Sequence, residues 1–169
     1  MKILLLFLML INFSFATEHR VLVSGFTKHE HSHSSDGEEF NDKNWGAGYE
    51  FTDFKEYGKL YFAGNFTVLK DSFSDAQFTL SVSPNLRYKI YGDLDASFGI
   101  AAFLMWKKDT YKSGVSSDEA EYGLVPGIAP LASLYYQRFS VNLAYVPTIK
   151  MGSIDVIGFG IVYFGWKFN

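Results

Sequence analysis

The chain has 169 residues, of which 18% are aromatic, and its formal net charge at pH 7 is −3. So small an acidic charge does not favour a nucleic-acid partner. The sequence contains no cysteine, which excludes disulfide bonds and a lipidated N-terminal cysteine. Its 17 Phe and 11 Tyr, without a long apolar segment after the N-terminus, favour an all-β chain.

The N-terminus has the three parts of a secretory signal peptide. Lys2 precedes the apolar run "ILLLFLMLINFSFA", which ends in the small-x-small pattern of Ser14 and Ala16. This run is shorter than the roughly 20 residues that a membrane-spanning helix needs. The sequence therefore predicts a signal peptide over residues 1–16, cleavage after Ala16, and export of a single domain over residues 17–169.

Alternation of apolar and polar residues is the dominant pattern in the rest of the chain. Between Gln77 and Tyr91 the even positions are apolar and the odd positions are almost all polar. We predict eight strands, near residues 20–29, 44–54, 59–71, 77–91, 94–106, 121–136, 138–147 and 157–168. Several of them reach the roughly 9–11 residues with which a tilted strand crosses a bilayer.

The connections alternate between short turns, such as "FKEYG" and "YGD", and the long polar loops "EHSHSSDGEEFNDK" and "KKDTYKSGVSSDEA". This asymmetry and the aromatic last strand, "IVYFGWKF", are typical of outer-membrane barrels. The sequence therefore predicts an all-β fold, an eight-stranded antiparallel up-and-down transmembrane β-barrel in the outer membrane. One chain closes such a barrel, so we expect a monomer. A soluble lipocalin-like barrel, with its apolar face inside, would show the same alternation and remains an alternative.

Three residues that could catalyse acyl transfer are expected at the outer rim of this barrel. If the chain starts on the periplasmic side, strand 1 ends at His29 and strand 3 ends at Asp71 and Ser72, with one strand between them. The imidazole would act as a base, the carboxylate would fix its tautomer, and the hydroxyl would attack or polarise an ester. The alternative is that Asp71 and Ser72 are ordinary turn residues.

Two other patterns carry a weaker indication of function. His29, His31 and His33 have the spacing for one side of a strand and could bind a metal, but a solvated loop is the better interpretation and no metal is expected. Gly46 and Gly48 lack the following helix that a phosphate-binding loop needs. We expect these glycines to face the lumen and to make room in a narrow barrel.

The sequence resembles the lipid A palmitoyltransferase PagP family in several blocks: "NDKNWGAGYEF", "KLYFAGNFTVLKDSF", "VPGIAPLASLYYQRFSVNLAYVPT" and "VYFGW". The resemblance runs from about Val21 to the C-terminus. It implies an outer-membrane barrel that moves a palmitoyl chain from a glycerophospholipid to lipid A without metal or cofactor. It also implies that Asp71 and Ser72 are catalytic. The family's histidine position matches Thr27, so His29, two residues on, is taken as its substitute and His31 as the next candidate.

The resemblance further implies lateral gates in the barrel wall, where prolines interrupt strand pairing. Pro130 and Pro147 match the gate for the phospholipid, whereas Leu22 and Asn44 replace the prolines of the lipid A gate. The family's N-terminal amphipathic helix has no counterpart here. Phe103 and Met105 are expected to line an apolar part of the lumen. Other functions left open are a phospholipase, transfer to another lipid acceptor, and a non-catalytic structural or adhesive barrel.

Overall fold

A computed structural model describes residues 18–31, 39–57, 59–108, 121–151, 154–156 and 158–168. The expected signal peptide lies outside these residues and stays a prediction. The described ranges contain no helix that is long and apolar enough to cross a membrane.

Ten strands form the described part of the chain, and eight of them close a barrel. The strands are β1 (Glu18–His29), β2 (Gly46–Tyr57), β3 (Leu60–Lys70), β4 (Ala76–Tyr91), β5 (Leu94–Lys108), β6 (Tyr122–Tyr136), β7 (Phe139–Val146), β8 (Ile149–Met151), β9 (Ile154–Val156) and β10 (Phe159–Lys167). Around the barrel the order is β1, β2, β3, β4, β5, β6, β7 and β10, and every neighbouring pair is antiparallel. The predicted eight-stranded up-and-down barrel is confirmed.

The sequence analysis missed the short hairpin of β8 and β9, which lies outside the barrel sheet. Its strands read "IKM" and "IDV" and flank Gly152 and Ser153. Alternation on both sides of a two-residue Gly-Ser step is a hairpin signal. At three residues per strand the signal is too short to stand out beside the long barrel strands.

The apolar side chains of the barrel face outward. Ile128, in the middle of β6, keeps 64% of its surface exposed, and Phe62, Val82, Phe98 and Val141 are exposed in the same way. The polar side chains alternate with them and are buried in the lumen, as with Thr52, Ser83 and Ser97. A water-soluble barrel would have the opposite arrangement, so the exterior is a lipid-facing surface and the lipocalin-like alternative is wrong.

Aromatic residues mark both ends of this outer surface. Trp106 stacks on Tyr122 with ring centroids 4.5 Å apart, near the end of the barrel where β1 and β3 stop. At the opposite end Phe139 packs edge-on against Trp166 at 4.4 Å. Such belts occur where a barrel wall meets the two membrane interfaces. Their positions therefore bracket the membrane-spanning part of the strands.

The connections differ at the two ends of the barrel, as expected. Short turns join β2 to β3, β4 to β5 and β6 to β7 at one end. Gly92 begins the turn after β4 with φ of +53°, the left-handed conformation that glycine adopts without steric cost. The opposite end carries the segments between β1 and β2, between β5 and β6, and between β7 and β10. His29 and the turn after β3 lie at this second end, here called the rim.

The lumen is charged and polar near the short turns and combines apolar with hydroxyl side chains towards the rim. Arg20, only 1% exposed, contacts Glu18 and stacks over Tyr135, and the Tyr61 hydroxyl donates to Ser97 Oγ at 2.9 Å. Nearer the rim the buried lining includes the apolar side chains of Leu69, Ala101, Met105, Ala129, Val146 and Ile161 together with the hydroxyl side chains of Ser24, Thr27 and Thr67. Phe103 also faces inward, and its ring lies over Gly127. The lumen therefore has a charged and polar floor beneath a section with more apolar side chains, here called the apolar section.

Candidate active site

His29 faces the lumen because β1 contains a β-bulge. The pairing of β1 with β10 shifts by one residue between Ser24 and Phe26, which leaves Gly25 without a partner across the ladder. In a regular strand Lys28 would point inward and His29 outward. With the bulge, the Lys28 side chain is 84% exposed and the His29 side chain only 4%. Thr27, the family's histidine position, is buried on the same face.

The two ring nitrogens of His29 contact two different residues. Nε2 lies 2.7 Å from Ser72 Oγ, across 43 positions in the chain. Nδ1 lies 3.0 Å from Asp42 Oδ1. The structure therefore brings together a hydroxyl, an imidazole and a carboxylate in series, which is the arrangement of a general-base site for acyl transfer.

Aromatic rings fix the plane of the imidazole. Phe40 stacks on His29 with ring centroids 4.4 Å apart and an angle of 21° between the planes. Phe159, the residue opposite His29 on β10, lies 5.9 Å away on a tilted plane. Phe73, the residue after Ser72, packs against the edge of Phe40. These contacts restrict rotation of the ring and exclude water from much of its surface.

Asp71 organises the turn that carries Ser72. Its Oδ1 accepts the backbone N–H groups of Phe73 and Asp75, each at 2.9 Å. The backbone N–H of Asp71 donates to the Asp75 carbonyl at 2.7 Å, and Ser74 adopts φ of +68° to close the turn. This is the local bonding by which Asp stabilises turns. Asp71 is 1% exposed, so these bonds are protected from solvent.

Two lysines from β5 hold the same turn. Lys107 Nζ lies 3.6 Å from Asp71 Oδ2, and both side chains are buried. Lys108 Nζ lies 2.9 Å from Asp75 Oδ2. The Asp71 carboxylate therefore contacts its own turn and Lys107. The carboxylate that is hydrogen-bonded to His29 is that of Asp42. The predicted role of Asp71 as the group that orients His29 has not been tested and stays a prediction.

The segment that carries Asp42 is held against the turn and against β1. The Asn41 N–H donates to the Ser72 carbonyl at 2.7 Å, and the Thr27 N–H donates to the Asp42 carbonyl at 3.0 Å. Asn44 Nδ2 donates to the Lys70 carbonyl at 2.9 Å. Backbone bonds on both sides of Asp42 thus set its distance from the imidazole. Asn44, which replaces a family proline, is one of the residues that make this attachment.

The side chain of Asp42 lies at the end of the barrel, outside the strands, and is partly exposed. Partial burial raises the pKa of this carboxyl, but hydrogen bonds from His29 and Lys28 outweigh that effect and leave the pKa below its ordinary value. Asp42 is consequently ionised at neutral pH and accepts hydrogen bonds through both oxygens.

The other predicted histidines are not part of this cluster. His31 is exposed, beyond the end of β1. His33 lies outside the described residues, so the metal-binding alternative stays untested. Gly46 and Gly48 face the lumen, where a Cβ on either would collide with Leu69 or Thr67 of β3. Their role is therefore the expected one of making room inside the barrel.

Sequence reasoning missed Asp42, Phe40 and Lys107. Lys107 could have been found by extending the alternation of β5 by one residue, because odd positions of that strand face inward. Asp42 and Phe40 lie between β1 and β2, where no periodicity fixes which way a side chain points. A chain of hydrogen bonds to distant residues places them, and sequence pattern does not reveal it.

Two ladders of the described wall, β6–β7 and β1–β2, stop short of the rim. Pairing of β6 with β7 runs from Leu131 opposite Ala144 to Tyr136 opposite Phe139, and the described rim half of β6 pairs with β5 alone. Pro130 lies where this ladder stops, and Pro147 follows the end of β7. The hydroxyl of Tyr145, near the rim end of β7, donates a hydrogen bond to the carboxylate of Glu30, which follows β1. The rim end of β7 is therefore not hydrogen-bonded to β6 in the ladder. The unpaired stretch between the two strands is here called the β6–β7 seam.

The β1–β2 ladder is also short, although no proline interrupts it. It ends at Ser24 opposite Gly46, so the rim end of β1 has no ladder partner in β2. Leu22 lies inside this ladder, and Asn44 lies beyond it. Pairing of β1 with β2 is therefore not continuous up to His29, although neither Leu22 nor Asn44 is a proline.

Comparison with known proteins gives the same family as the sequence blocks. Residues 11–167 match the family described as "Antimicrobial peptide resistance and lipid A acylation protein PagP". The "Lipid A acyltransferase PagP" of Methylobacillus flagellatus is 31% identical over 109 residues, which cover 64% of this chain and 53% of that protein. The protein of the same name from Musicola paradisiaca is 28% identical over 132 residues, which cover 76% of this chain and 59% of that protein.

The chain therefore spans somewhat more than half the length of the relatives that it matches. Among solved structures, Neisserial surface protein A superposes with a TM-score of 0.55 at 12% identity, covering 89% of this chain and 94% of that one. At so low an identity this similarity concerns the barrel fold alone. The family match covers nearly all of the sequence, and the chain belongs to the PagP family.

Proposed function

We propose that the protein is an outer-membrane acyltransferase that moves a palmitoyl-type acyl chain from a glycerophospholipid to lipid A. The observation that carries the proposal is the 2.7 Å contact between His29 Nε2 and Ser72 Oγ at the rim of a lipid-facing barrel. Membership of the PagP family and the names of its relatives support lipid A as the acceptor. Export by the signal peptide over residues 1–16 and function as a monomer belong to the same proposal.

His29 is the proposed base. A neutral imidazole with its proton on Nδ1 leaves Nε2 free to accept the Ser72 hydroxyl proton. If Ser72 attacks the donor ester, a Ser72 ester forms, the lysophospholipid alkoxide leaves, and the proton on Nε2 passes to it. A lipid A hydroxyl then gives its proton to Nε2 and attacks the Ser72 ester; the acyl–Ser72 bond breaks, and the proton on Nε2 returns to Ser72 Oγ. If Ser72 instead polarises the ester carbonyl, His29 removes the proton of the lipid A hydroxyl as that hydroxyl attacks the donor ester, and passes it to the lysophospholipid alkoxide that leaves.

Asp71 is proposed to support Ser72. The two N–H groups bound to its Oδ1 keep the turn closed, and the Lys107 contact anchors that turn to β5. Ser72 is only partly buried, and its hydroxyl is proposed to meet the donor ester at the rim. Acyl transfer by His29 and Ser72 is proposed to need neither a metal nor a diffusible cofactor, because hydrogen bonds can activate the ester carbonyl.

The apolar section of the lumen is the proposed slot for the acyl chain. Leu69, Met105 and Ile161 line it below the site, and the polar floor around Tyr61 closes it. The cavity of about 40 Å³ that Tyr61, Ser83 and Tyr163 line in part belongs to this polar floor. The β6–β7 seam beside Pro130 is the proposed lateral gate through which the chain enters the slot, with Pro147 on its other side.

Lipid analysis of Gram-negative cells that express the protein tests this proposal. We expect lipid A heavier by one acyl chain, with lysophospholipid as the second product, and neither product from a His29→Ala, Ser72→Ala double variant. Lysophospholipid with free fatty acid and unchanged lipid A would indicate a phospholipase. A new acylated lipid of another class would indicate a different acceptor. No lipid change from a folded barrel would leave a structural or adhesive role.

A further inference from the structure

We propose that Asp42 is the positioning residue that orients His29 for reaction with Ser72, and that Asp71 serves the turn instead. This inference rests on the proposed function of the site. It assigns a role to a residue between β1 and β2 that the sequence analysis did not identify.

The two bonds of the imidazole define its protonation state. Ser72 can give its proton only to an unprotonated Nε2, so the neutral ring must carry its hydrogen on Nδ1. An ionised carboxylate accepts hydrogen bonds and cannot donate them. Asp42 Oδ1, at 3.0 Å from Nδ1, therefore stabilises the one tautomer that leaves Nε2 basic towards Ser72.

Asp42 is also held at this distance independently of His29. The Thr27 N–H binds its carbonyl, and the preceding residue, Asn41, donates its N–H to the carbonyl of Ser72 itself. The base, the hydroxyl and the orienting carboxylate are thus tied together by backbone bonds as well as by side chains. A group that met His29 by chance on a free loop would lack this attachment.

The Asp71 carboxylate is already bonded to groups other than His29. Its Oδ1 already accepts two backbone N–H groups, and its Oδ2 faces Lys107 at 3.6 Å. Turning this carboxylate towards His29 would break the bonds that position Ser72. The two carboxylates therefore have separate tasks: Asp42 acts on the imidazole, and Asp71 acts on the turn.

The charges around the imidazole give the inference a measurable consequence. Burial of the imidazole disfavours a protonated His29, as do Lys107 on β5 and Lys28 beside Asp42, whereas the Asp42 carboxylate stabilises it. Removing the Asp42 charge therefore makes the imidazolium less stable. The acid limb of the pH–rate profile is expected to move to lower pH in an Asp42→Asn variant, because a higher proton concentration is then needed to protonate His29.

The experiment uses the full chain folded in detergent micelles. Phospholipid-to-lipid A transfer is measured from pH 5 to 9 for the wild type and for Asp42→Asn, Asp42→Glu and Asp71→Asn. Lys43→Met, one residue along the same segment with an exposed side chain, is the matched control. In parallel, ¹⁵N NMR of the histidine rings, with His29 assigned by its loss in His29→Ala, reports the His29 tautomer at each pH.

We expect Asp42→Asn to lower transfer by about 100-fold, the lower limit for a general base, to shift the acid limb to lower pH and to mix the His29 tautomers. Asp42→Glu should restore part of the activity, and Lys43→Met should behave as the wild type. Asp71→Asn should leave the tautomer unchanged. The inference is overturned if Asp42→Asn leaves both profile and tautomer unchanged, or if Asp71→Asn alone changes the tautomer. An inactive wild type whose tautomer still depends on Asp42 would refute the proposed function and keep this inference.

Discussion

Ser72 and His29 are in hydrogen-bonding contact although they belong to opposite flanks of β2, 43 positions apart in the chain. The antiparallel order places the ends of β1 and β3 at the same rim, and the turn after β3 brings Ser72 over the intervening strand. The contact therefore depends on two strand ends and on the closed turn after β3.

The first prediction separates His29 from its neighbour His31. Replacing His29 by Ala removes the base, and we expect acyl transfer to fall by about 100- to 10,000-fold. His31→Ala is the matched control, because His31 has the same spacing parity but is exposed beyond β1. Transfer assays in detergent measure both, with heat-dependent gel mobility to verify the folded barrel. Loss of activity in His31→Ala, with activity retained in His29→Ala, would show that His31 is the base.

The second prediction concerns the turn acceptor Asp71. In Asp71→Ala two partly buried backbone N–H groups lose their acceptor, which should cost at most about 1–3 kcal/mol for each N–H group that stays unsatisfied. Asn keeps an oxygen at the same place, so Asp71→Asn should retain most of the folding stability. Urea unfolding of the refolded protein measures the difference. Equal destabilisation by the two substitutions would show that charge, and not the accepted N–H groups, is what Asp71 contributes to the turn.

Sequence alone predicted the barrel because its signal is repeated along eight strands. Period-2 alternation, strand length and loop asymmetry all arise from the same requirement that every backbone group pair within a lipid-facing wall. Alternation could not say which face pointed inward. The exposed surfaces of residues such as Ile128 and Phe98 decide that question.

The site was only partly predictable, for physical reasons. Topology and the "KDSF" block pointed to His29, Asp71 and Ser72. The inward direction of His29 depends on the bulge at Gly25, and a single glycine does not reveal a bulge in a sequence. Asp42 depends on bonds to Thr27 and Ser72 that connect segments distant in the chain. Local pattern carries no information about contacts of that kind.

The third prediction tests the outward apolar face. Ile100 is exposed near the middle of β5, where an arginine would have to lie in hydrocarbon. We expect Ile100→Arg to destabilise the barrel in bilayers by about 2–4 kcal/mol. Tyr91→Arg, at the short-turn end of β4, should cost at most about 1 kcal/mol because arginine reaches the interface there. Folding yield into lipid vesicles over a urea series compares the two. Equal destabilisation by the two substitutions would show that Ile100 does not lie in the hydrocarbon of the membrane.

The fourth prediction follows from the lowered pKa of Asp42. A carboxyl whose pKa is lower in the folded protein contributes stability that is complete above its unfolded value and is lost as pH falls through the folded value. The ordinary value is 3.8, so the contribution should decline only below that pH. The difference in stability between wild type and Asp42→Asn should therefore not shrink between pH 7 and about pH 4. A difference that disappears between pH 6 and 5 would contradict the ionised, hydrogen-bonded Asp42 described here.

The fifth prediction concerns the β6–β7 seam. Ala129 and Val146 are buried on the two sides of the seam, just beyond the last pair of the ladder, and the chain has no cysteine of its own. In an Ala129→Cys, Val146→Cys variant, a short thiol crosslinker should join the strands and block transfer, because the donor chain can no longer pass between them. Cleavage of the link by a reducing agent should restore activity.

Ser133→Cys with Asn142→Cys is the matched control for this crosslink. These residues are opposite each other within the intact β6–β7 ladder, so joining them constrains strands that are already paired. We expect the control to keep most of its activity whether or not it is crosslinked. If both crosslinked variants remain active, the donor lipid does not pass between β6 and β7. The short β1–β2 ladder, which stops at Ser24 and Gly46, would then be the next place to test for entry of a chain from the membrane to Ser72.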